Sequence, residues 1–194
     1  MKRLLLHTCC APCAIYVIKK LTKEFSVSIF FYDPNIHPRR EYNQRRDEMR
    51  GYAQKIGLDF QEGEYDSIRW LTATQGLENE PERGRRCDVC FDLRLAKTAS
   101  QAKAEQYDVW ATVLTISPHK DAERINAIGN RLAGQYGITF LDGDWKKQDG
   151  FKTASRFSRA ENFYRQDYCG CLYSKAEKER VKHDRLKIYA DKII

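Results

Sequence analysis

The sequence predicts a three-layer α/β domain, in which a mostly parallel sheet carries helices on both faces. Short apolar runs typical of buried strands alternate with longer helical patterns along the chain. Several of these strands end in a polar turn that opens a helix, as in βαβ units. With 194 residues, of which 42% are hydrophobic, the chain can bury the core that such a domain needs.

The predicted elements follow the order expected of a parallel sheet. An apolar strand, a helix with Pro12 in its first turn and a second buried strand make a βαβ start. We find no internal repeat and expect one domain over residues 1–194. The predicted strands are 3–7, 27–32, 58–60, 109–115 and 138–141, and the predicted helices are 12–24, 39–56, 65–74, 91–104, 121–136, 151–163 and 172–185.

Three cysteines lie in the turn between the first strand and the first helix. Cys9, Cys10 and Cys13 follow His7 closely. In a parallel sheet this turn lies at the carboxyl edge of the strands, where ligands usually bind, and a helix N-terminus favours thiolates. A single buried cysteine is most often a small hydrophobic residue. Three thiols so close together at this edge instead favour a metal site.

The other four cysteines also occur in short pairs, Cys87 with Cys90 and Cys169 with Cys171. We expect no disulfide, because the count is odd and neither a signal peptide nor a membrane-spanning run is apparent, which favours a cytoplasmic location without membrane contact. Clustered thiols in a reducing compartment are typical of zinc or iron–sulfur sites. A thioredoxin-like redox pair is the alternative for Cys87 and Cys90, but that motif needs no further thiols.

Polar residues after the second strand predict part of a binding pocket. Asp33, Asn35 and His37 lie in a turn that a parallel sheet would place at the same edge as the cysteines. The alternative is that they only form the turn, since Asn, Asp and Pro are residues that tight turns require.

The turn after the strand at 109–115 predicts an anion site. Ser117 is expected to cap the next helix, with Pro118 beside it. His119 and Lys120 are not needed for this cap, and a helix N-terminus with an adjacent lysine suits a phosphate group. We therefore assign Ser117, His119 and Lys120 to substrate contacts.

Basic residues are concentrated beside these turns. The net charge of +7 suits a polyanionic partner, although a solvated surface would also explain it. We interpret the arginines of the second helix and of the loop 76–86 as exposed contacts to phosphate groups of a partner, and this loop as a substrate-facing lid. These arginines are Arg39, Arg40, Arg45, Arg46, Arg50, Arg83, Arg85 and Arg86. Lys152, Arg156 and Arg159 form a second basic stripe.

Five sequence blocks resemble the QueH type of epoxyqueuosine reductase. They are Leu-Leu-Leu-His-x-Cys-Cys-Ala-Pro-Cys at 4–13, then 31–38, 86–91, 114–120 and 164–171. One departure is Asp33, where the family pattern has Asn. The resemblance implies removal of the epoxide oxygen of epoxyqueuosine by two electrons, at the wobble position of tRNA with queuosine-type anticodons. It implies iron–sulfur chemistry without cobalamin, and the reaction needs an external electron donor. We expect a Rossmann-like or HUP-like fold.

Seven cysteines suffice for two metal sites. We expect Cys87 and Cys90 to hold a [4Fe–4S] cluster together with one thiol of the first motif and one of Cys169 or Cys171. The remaining three thiols would hold a second metal ion, iron or zinc, with an open position that acts as a Lewis acid on the epoxide oxygen. The alternative is a non-catalytic zinc-binding RNA module, in which the thiolates only stabilise the fold.

The oxygen that leaves must be protonated. His7, His37, Asp167 and Tyr168 are the candidate proton donors, and the sequence does not separate them. Arg165, in the same block as Asp167 and Tyr168, is assigned to substrate binding.

Overall fold

The structure, a computed structural model, describes the backbone of residues 1–190 and the side chains of residues 1–183. Its strands are β1 (Lys2–Thr8), β2 (Phe25–Phe31), β3 (Phe60–Glu62), β4 (Val109–Thr112) and β5 (Thr139–Phe140). Within the described backbone they form one sheet in the order β3-β2-β1-β4-β5, and every pairing is parallel. The predicted fold class is confirmed. The last four residues of the predicted domain 1–194 lie outside the described residues.

Helices cover both faces of this sheet. They are α1 (Ala11–Leu21), α2 (Arg39–Lys55), α3 (Ser67–Ala73), α4 (Arg85–Ala104), α5 (Ala122–Tyr136), α6 (Gly150–Ala160) and α7 (Leu172–Ala190). Successive residues of a strand point to opposite faces. Leu4 and Leu6 therefore pack against α1, α2 and α6, whereas Leu5 packs against α4 and α5. Among the described helices, none combines the length and the apolar composition needed to cross a membrane.

The strand order creates a crevice at the ends of β1 and β4. From β1 the sheet extends through β2 to β3 on one side, and through β4 to β5 on the other. β1 and β4 are paired as far as His7 and Thr112, and the helices that follow them pack on opposite faces. Open α/β sheets bind ligands where the strand order reverses in this way. The first cysteine motif follows β1 at this position.

Two boundaries near the crevice differ from the prediction. β4 ends at Thr112, because its hydroxyl oxygen accepts a hydrogen bond from the Leu114 amide at 3.2 Å and the chain turns into a short 3-10 helix. α4 begins at Arg85 rather than at residue 91, so that Cys87 and Cys90 lie inside its first two turns. The helix therefore fixes the spacing of this cysteine pair.

The predicted cap at Ser117 is wrong. Asp121 caps α5, because its carboxylate accepts hydrogen bonds from the amides of Glu123 and Arg124. Ser117 instead ends the 3-10 helix, and its hydroxyl oxygen accepts a hydrogen bond from the His119 amide at 3.2 Å. The turn before α5 is thus longer than predicted.

Candidate metal centre and substrate cavity

The three thiols after β1 converge at the carboxyl edge of the sheet. Cys10 is the residue before the first turn of α1, in which Pro12 lies. The sulfur atoms of Cys9 and Cys10 are 3.9 Å apart, and those of Cys9, Cys10 and Cys13 all lie within 4.8 Å of one another. Among the described residues this is the one group of three potential metal ligands that is so compact. We call it the thiol triplet.

The proximity of these sulfur atoms changes their acidity. Hydrogen bonds from Cys10 and Cys13 hold the pKa of Cys9 below its usual range, whereas hydrogen bonds and burial raise the pKa of Cys10. For Cys13, the contact with Cys10 lowers the pKa, but the contact with Cys9 and burial raise it to about 12. Neighbouring thiolates repel one another, so a bound cation is what would stabilise all three in the ionised form.

The other four thiols form a second group, which we call the thiol quartet. Its members, on α4 and in the segment before α7, are Cys87, Cys90, Cys169 and Cys171. Cys90 and Cys171 pack in one buried cluster with Trp70. Burial raises the pKa of Cys87 to about 11 and that of Cys171 to about 12, and the charge of Cys169 adds to both shifts. The thiols of the quartet therefore influence one another electrostatically. Among the described residues, no three of their sulfur atoms lie as close together as those of the triplet.

Backbone amides point at two sulfur atoms of the quartet. The Arg83 amide donates to Cys87 Sγ at 3.2 Å, and the Ser174 amide donates to Cys171 Sγ at 3.3 Å. Such hydrogen bonds stabilise thiolates and tune iron–sulfur clusters. Gly170 has a φ of 125°, and a Cβ there would lie 3.1 Å from Ile36 Cγ1. The turn that carries Cys169 and Cys171 therefore requires glycine.

Arg45 holds this turn in place. Its guanidinium donates to the carbonyl oxygens of Cys169 at 3.1 Å and Tyr168 at 3.2 Å, and to Glu41 Oε1 at 2.7 Å. The residue is 1% exposed. The prediction that Arg45 belongs to an exposed stripe is wrong, because the segment before α7 covers this part of α2.

A cavity of about 710 Å³ opens beside the triplet. This volume is in the usual range for small-molecule sites. Cys9 and Cys13 of the triplet and Cys169 of the quartet line it. Six of the residues predicted to contact substrate or to transfer protons also line it, namely Ser117, His119, Lys120, Arg165, Asp167 and Tyr168. Arg45, predicted as a phosphate contact, also lines it, whereas the lining does not include His7, Asp33, Asn35, His37, Arg39, Arg40 or Arg86.

Gln166 is a site residue that the sequence did not reveal. Its side-chain amide donates to Cys10 Sγ at 2.9 Å and lies 4.0 Å from Cys13 Sγ. It also lines the cavity. Gln166 belongs to the block 164–171, but an uncharged amide has no metal-ligand or acid–base pattern that would single it out. Gln166 therefore connects the triplet to the segment before α7, which carries Cys169 and Cys171.

Two of the four proton-donor candidates lie outside the cavity lining. His7 is fully buried, and its Nδ1 is 2.8 Å from Thr112 Oγ1. Burial, and after it the charge of Arg94, lowers the pKa of His7 to about 3, so that the ring is neutral. The His37 ring is held by Asn35, whose carbonyl oxygen is 2.8 Å from Nδ1. One nitrogen of each ring is therefore engaged with the protein, and neither ring lines the cavity.

The other two candidates line the cavity. Tyr168 donates its hydroxyl to the carbonyl oxygen of His37, and burial raises its pKa, so it stays protonated. Asp167 pairs with Lys178, and this hydrogen bond holds the pKa of the carboxyl below its usual value. Tyr168 thus carries a proton at neutral pH, whereas Asp167 is ionised.

The turn after β2 begins with an aspartate that belongs to a buried charged pair. Asp33 is 1% exposed and accepts a hydrogen bond from Arg94 of α4. Burial raises the pKa of Asp33 to about 7, and Arg94 opposes this shift. Asn35 is equally buried, and its side-chain oxygen has no hydrogen-bond partner in the part of the chain that is described. The sequence did not point to Arg94, which occupies a core position on a helix.

The predicted basic contacts fall into two classes. Arg39 and Arg40 are exposed at the start of α2, and the Arg39 guanidinium lies 4.3 Å from the centre of the Tyr65 ring. Arg86 is only 3% exposed and donates to the carbonyl oxygens of Leu77 and Glu78, both at 3.0 Å. The prediction of an exposed charge at Arg86 is wrong, because the loop before α4 folds over its guanidinium.

Lys120 is a cation of the cavity lining that has members of both thiol groups as electrostatic neighbours. Its charge lies near the sulfur atoms of Cys169, Cys9 and Cys13, and their influence outweighs burial and raises its pKa. His119 is exposed, and its carbonyl oxygen accepts a hydrogen bond from Arg83 at 2.9 Å. The turn after β4 therefore places one ammonium group within electrostatic range of both thiol groups.

Comparison with known proteins agrees with this geometry. A family model described as epoxyqueuosine reductase QueH matches residues 4–177. This chain belongs to the QueH family. The QueH protein of Acinetobacter baylyi is 42% identical over 192 residues, which are 96% of this chain and 88% of that protein. The QueH protein of Haemophilus influenzae is 40% identical over 195 residues (98% and 80%), and that of Thermotoga maritima is 34% identical over 186 residues (94% and 95%). QueH proteins are oxidoreductases that modify tRNA.

Two solved structures share the fold at low sequence identity. The U34-tRNA thiolase NcsA from Methanococcus maripaludis, described with its [4Fe–4S] cluster, aligns with a TM-score of 0.54 at 10% identity and covers 95% of this chain and 66% of that chain. A predicted subunit of tRNA methyltransferase from Methanocaldococcus jannaschii aligns with a TM-score of 0.52 at 12% identity and covers 80% and 74%. These similarities support the α/β architecture of this QueH chain.

Proposed function

We propose that this QueH chain removes the epoxide oxygen of epoxyqueuosine in tRNA and so forms queuosine. The observation that carries the proposal is that thiols of both groups, Cys9 and Cys13 of the triplet and Cys169 of the quartet, line one cavity of about 710 Å³ at the carboxyl edge of the sheet. The reaction takes up two electrons and two protons, breaks both carbon–oxygen bonds of the epoxide, forms a carbon–carbon double bond and releases water. A redox-active metal centre suits this two-electron reduction.

The two thiol groups fit two different metal sites. At a zinc–sulfur distance of about 2.3 Å, tetrahedral ligands lie about 3.8 Å apart. The 3.9 Å between the sulfur atoms of Cys9 and Cys10 is close to this value, so the triplet fits a single metal ion, iron or zinc, with one open position. The more widely spaced quartet supplies the four thiolates that a [4Fe–4S] cluster takes. This allocation differs from the sequence-based one, which divided the triplet.

Bound metals would supply electrons from the cluster and a Lewis acid for the epoxide oxygen. The chain itself would bind the modified nucleoside in the cavity, with Arg165 and Lys120 toward its phosphate and hydroxyl groups. Tyr168 is the favoured proton donor, because it lines the cavity and keeps its proton. To donate this proton, its hydroxyl group would turn away from the carbonyl oxygen of His37.

Several further features of the function are part of the same proposal. tRNA with queuosine-type anticodons is the substrate, and exposed arginines such as Arg39, Arg40 and Arg85 would contact its phosphates. The reaction proceeds without cobalamin, because the metal sites held by the seven thiolates supply its redox chemistry. An external donor supplies electrons to the cluster. Free thiols in all seven positions suit a reducing, cytoplasmic environment.

The test is a single-turnover assay with protein purified without oxygen. We expect a brown protein that contains iron and sulfide and, once reduced, converts epoxyqueuosine in tRNA to queuosine, detected by mass spectrometry of the nucleosides. Protein with Cys9→Ser and Cys13→Ser should lose this conversion. A colourless wild-type protein that binds zinc and tRNA but leaves the epoxide intact would instead support the non-catalytic RNA module.

A further inference from the structure

A buried charged pair connects α4, the helix of Cys87 and Cys90, to the turn after β2. The side chains of Arg94 and Asp33 are 2% and 0% exposed. Arg94 lies one turn after Cys90 on the same side of α4, and Asp33 follows β2 at the edge that carries the triplet. Arg94 Nε and Asp33 Oδ2 have no hydrogen-bond partner among the described side chains. Burying two charges is costly, so a pair that leaves donor and acceptor atoms unused calls for a reason beyond stability.

The charge of Arg94 acts on both thiol groups at once. The anionic neighbours that stabilise this guanidinium against burial are Asp33, Cys90, Cys9 and Cys169. Cys9 belongs to the triplet, whereas Cys90 and Cys169 belong to the quartet. The carboxylate of Asp33 is in turn an electrostatic neighbour of Cys9. One guanidinium cation and, above a pH of about 7, one carboxylate anion therefore lie within electrostatic range of the thiolates.

We propose that Arg94 and Asp33 are positioning residues that set the reduction potential of the metal–thiolate centre in opposite directions. The inference rests on the proposed iron–sulfur function. A fixed positive charge in a low-dielectric interior favours the state that has gained an electron, and a fixed negative charge opposes it. Arg94 therefore makes the centre easier to reduce, and Asp33 makes it harder to reduce. Neither residue is among the described side chains that line the cavity, so both act without touching the substrate.

The test is a redox titration of the holoprotein, assembled without oxygen and followed by electron paramagnetic resonance. Arg94→Gln should shift the reduction equilibrium at least tenfold toward the oxidised cluster, which is about 59 mV for a one-electron couple. Asp33→Asn should shift it by a similar factor toward the reduced cluster, and Arg94→Lys should stay close to wild type. Arg131→Gln, in an exposed ion pair with Asp92, is the matched control and should not shift it.

Iron and sulfide are measured in every sample, so that assembly and potential are separated. Unmoved potentials in Arg94→Gln and Asp33→Asn, or shifts of the same sign, would overturn this inference alone if the wild-type cluster is normal. Should Arg94→Gln fail to assemble a cluster, Asp33→Asn decides the question, because it keeps the guanidinium and changes the size of the side chain little. A wild-type protein without a reducible cluster would overturn the proposed function as well.

Discussion

Replacing Arg45 with methionine tests how the quartet is held in the fold. The guanidinium is buried, and it connects Glu41 of α2 to the carbonyl oxygens of Tyr168 and Cys169. Methionine has a similar length and is flexible enough to fill the space without a polar group. The substitution therefore removes the charge and the hydrogen bonds while it keeps most of the packing.

The size of the effect follows from the groups left behind. Breaking a buried ion pair costs about 3–5 kcal/mol, because the remaining charge stays buried without its partner. Glu41 keeps one donor, the hydroxyl of Tyr164 at 3.0 Å from Oε2, so we expect the lower end, about 3 kcal/mol of unfolding free energy. For a chain of this size each kcal/mol lowers the melting temperature by roughly 2–4 °C, which gives a fall of roughly 6–12 °C.

The assay combines thermal unfolding with iron and sulfide analysis of protein kept without oxygen. Arg45→Met should also bind less iron, since the turn that carries Cys169 and Cys171 loses its anchor. Arg40→Met is the matched control, because Arg40 is exposed on the same helix and should change stability by less than about 0.5 kcal/mol. Equal melting temperatures and equal iron in the two variants would refute the reasoning.

Three further outcomes are expected. Cys87→Ser or Cys90→Ser should abolish the cluster absorption and epoxyqueuosine reduction together, and a variant that keeps both would exclude that cysteine as a ligand. Removing the metals with a chelator should lower the melting temperature clearly, because metal binding to folded thiolate sites contributes on the order of 10 kcal/mol; an unchanged melting curve would contradict this. Combined Arg39→Ala and Arg40→Ala should reduce the slope of log tRNA affinity against log salt by about 1.4 and leave iron unchanged, whereas a wild-type slope would place the tRNA contacts elsewhere.

The sequence was sufficient to predict the sheet and the triplet, because both depend on local patterns. Apolar runs such as Leu4–Leu6 mark buried strands, and the turn after the first strand of a parallel sheet lies at the binding edge wherever the rest of the chain goes. Three thiols in that turn converge through the geometry of one helix N-terminus. The predicted metal site at this edge needed no long-range information.

The residues that were misjudged depend on contacts between distant segments. Helical spacing showed that arginines share a side of α2, but it could not show that the segment before α7 covers Arg45. In the same way, the composition of the loop before α4 did not reveal that this loop wraps around Arg86. The allocation of thiols between two groups also depends on how the last segment returns to α4. Gln166 became visible only once its contact with Cys10 was known.

Anomalous diffraction at the iron absorption edge, from crystals grown without oxygen, tests the proposed metal centre most directly. We predict a strong iron peak enclosed by Cys87, Cys90, Cys169 and Cys171. A second peak, at the iron or the zinc edge, should lie beside Cys9, Cys10 and Cys13 next to the cavity. Zinc alone at both positions, or iron bound away from these thiols, would contradict the proposal.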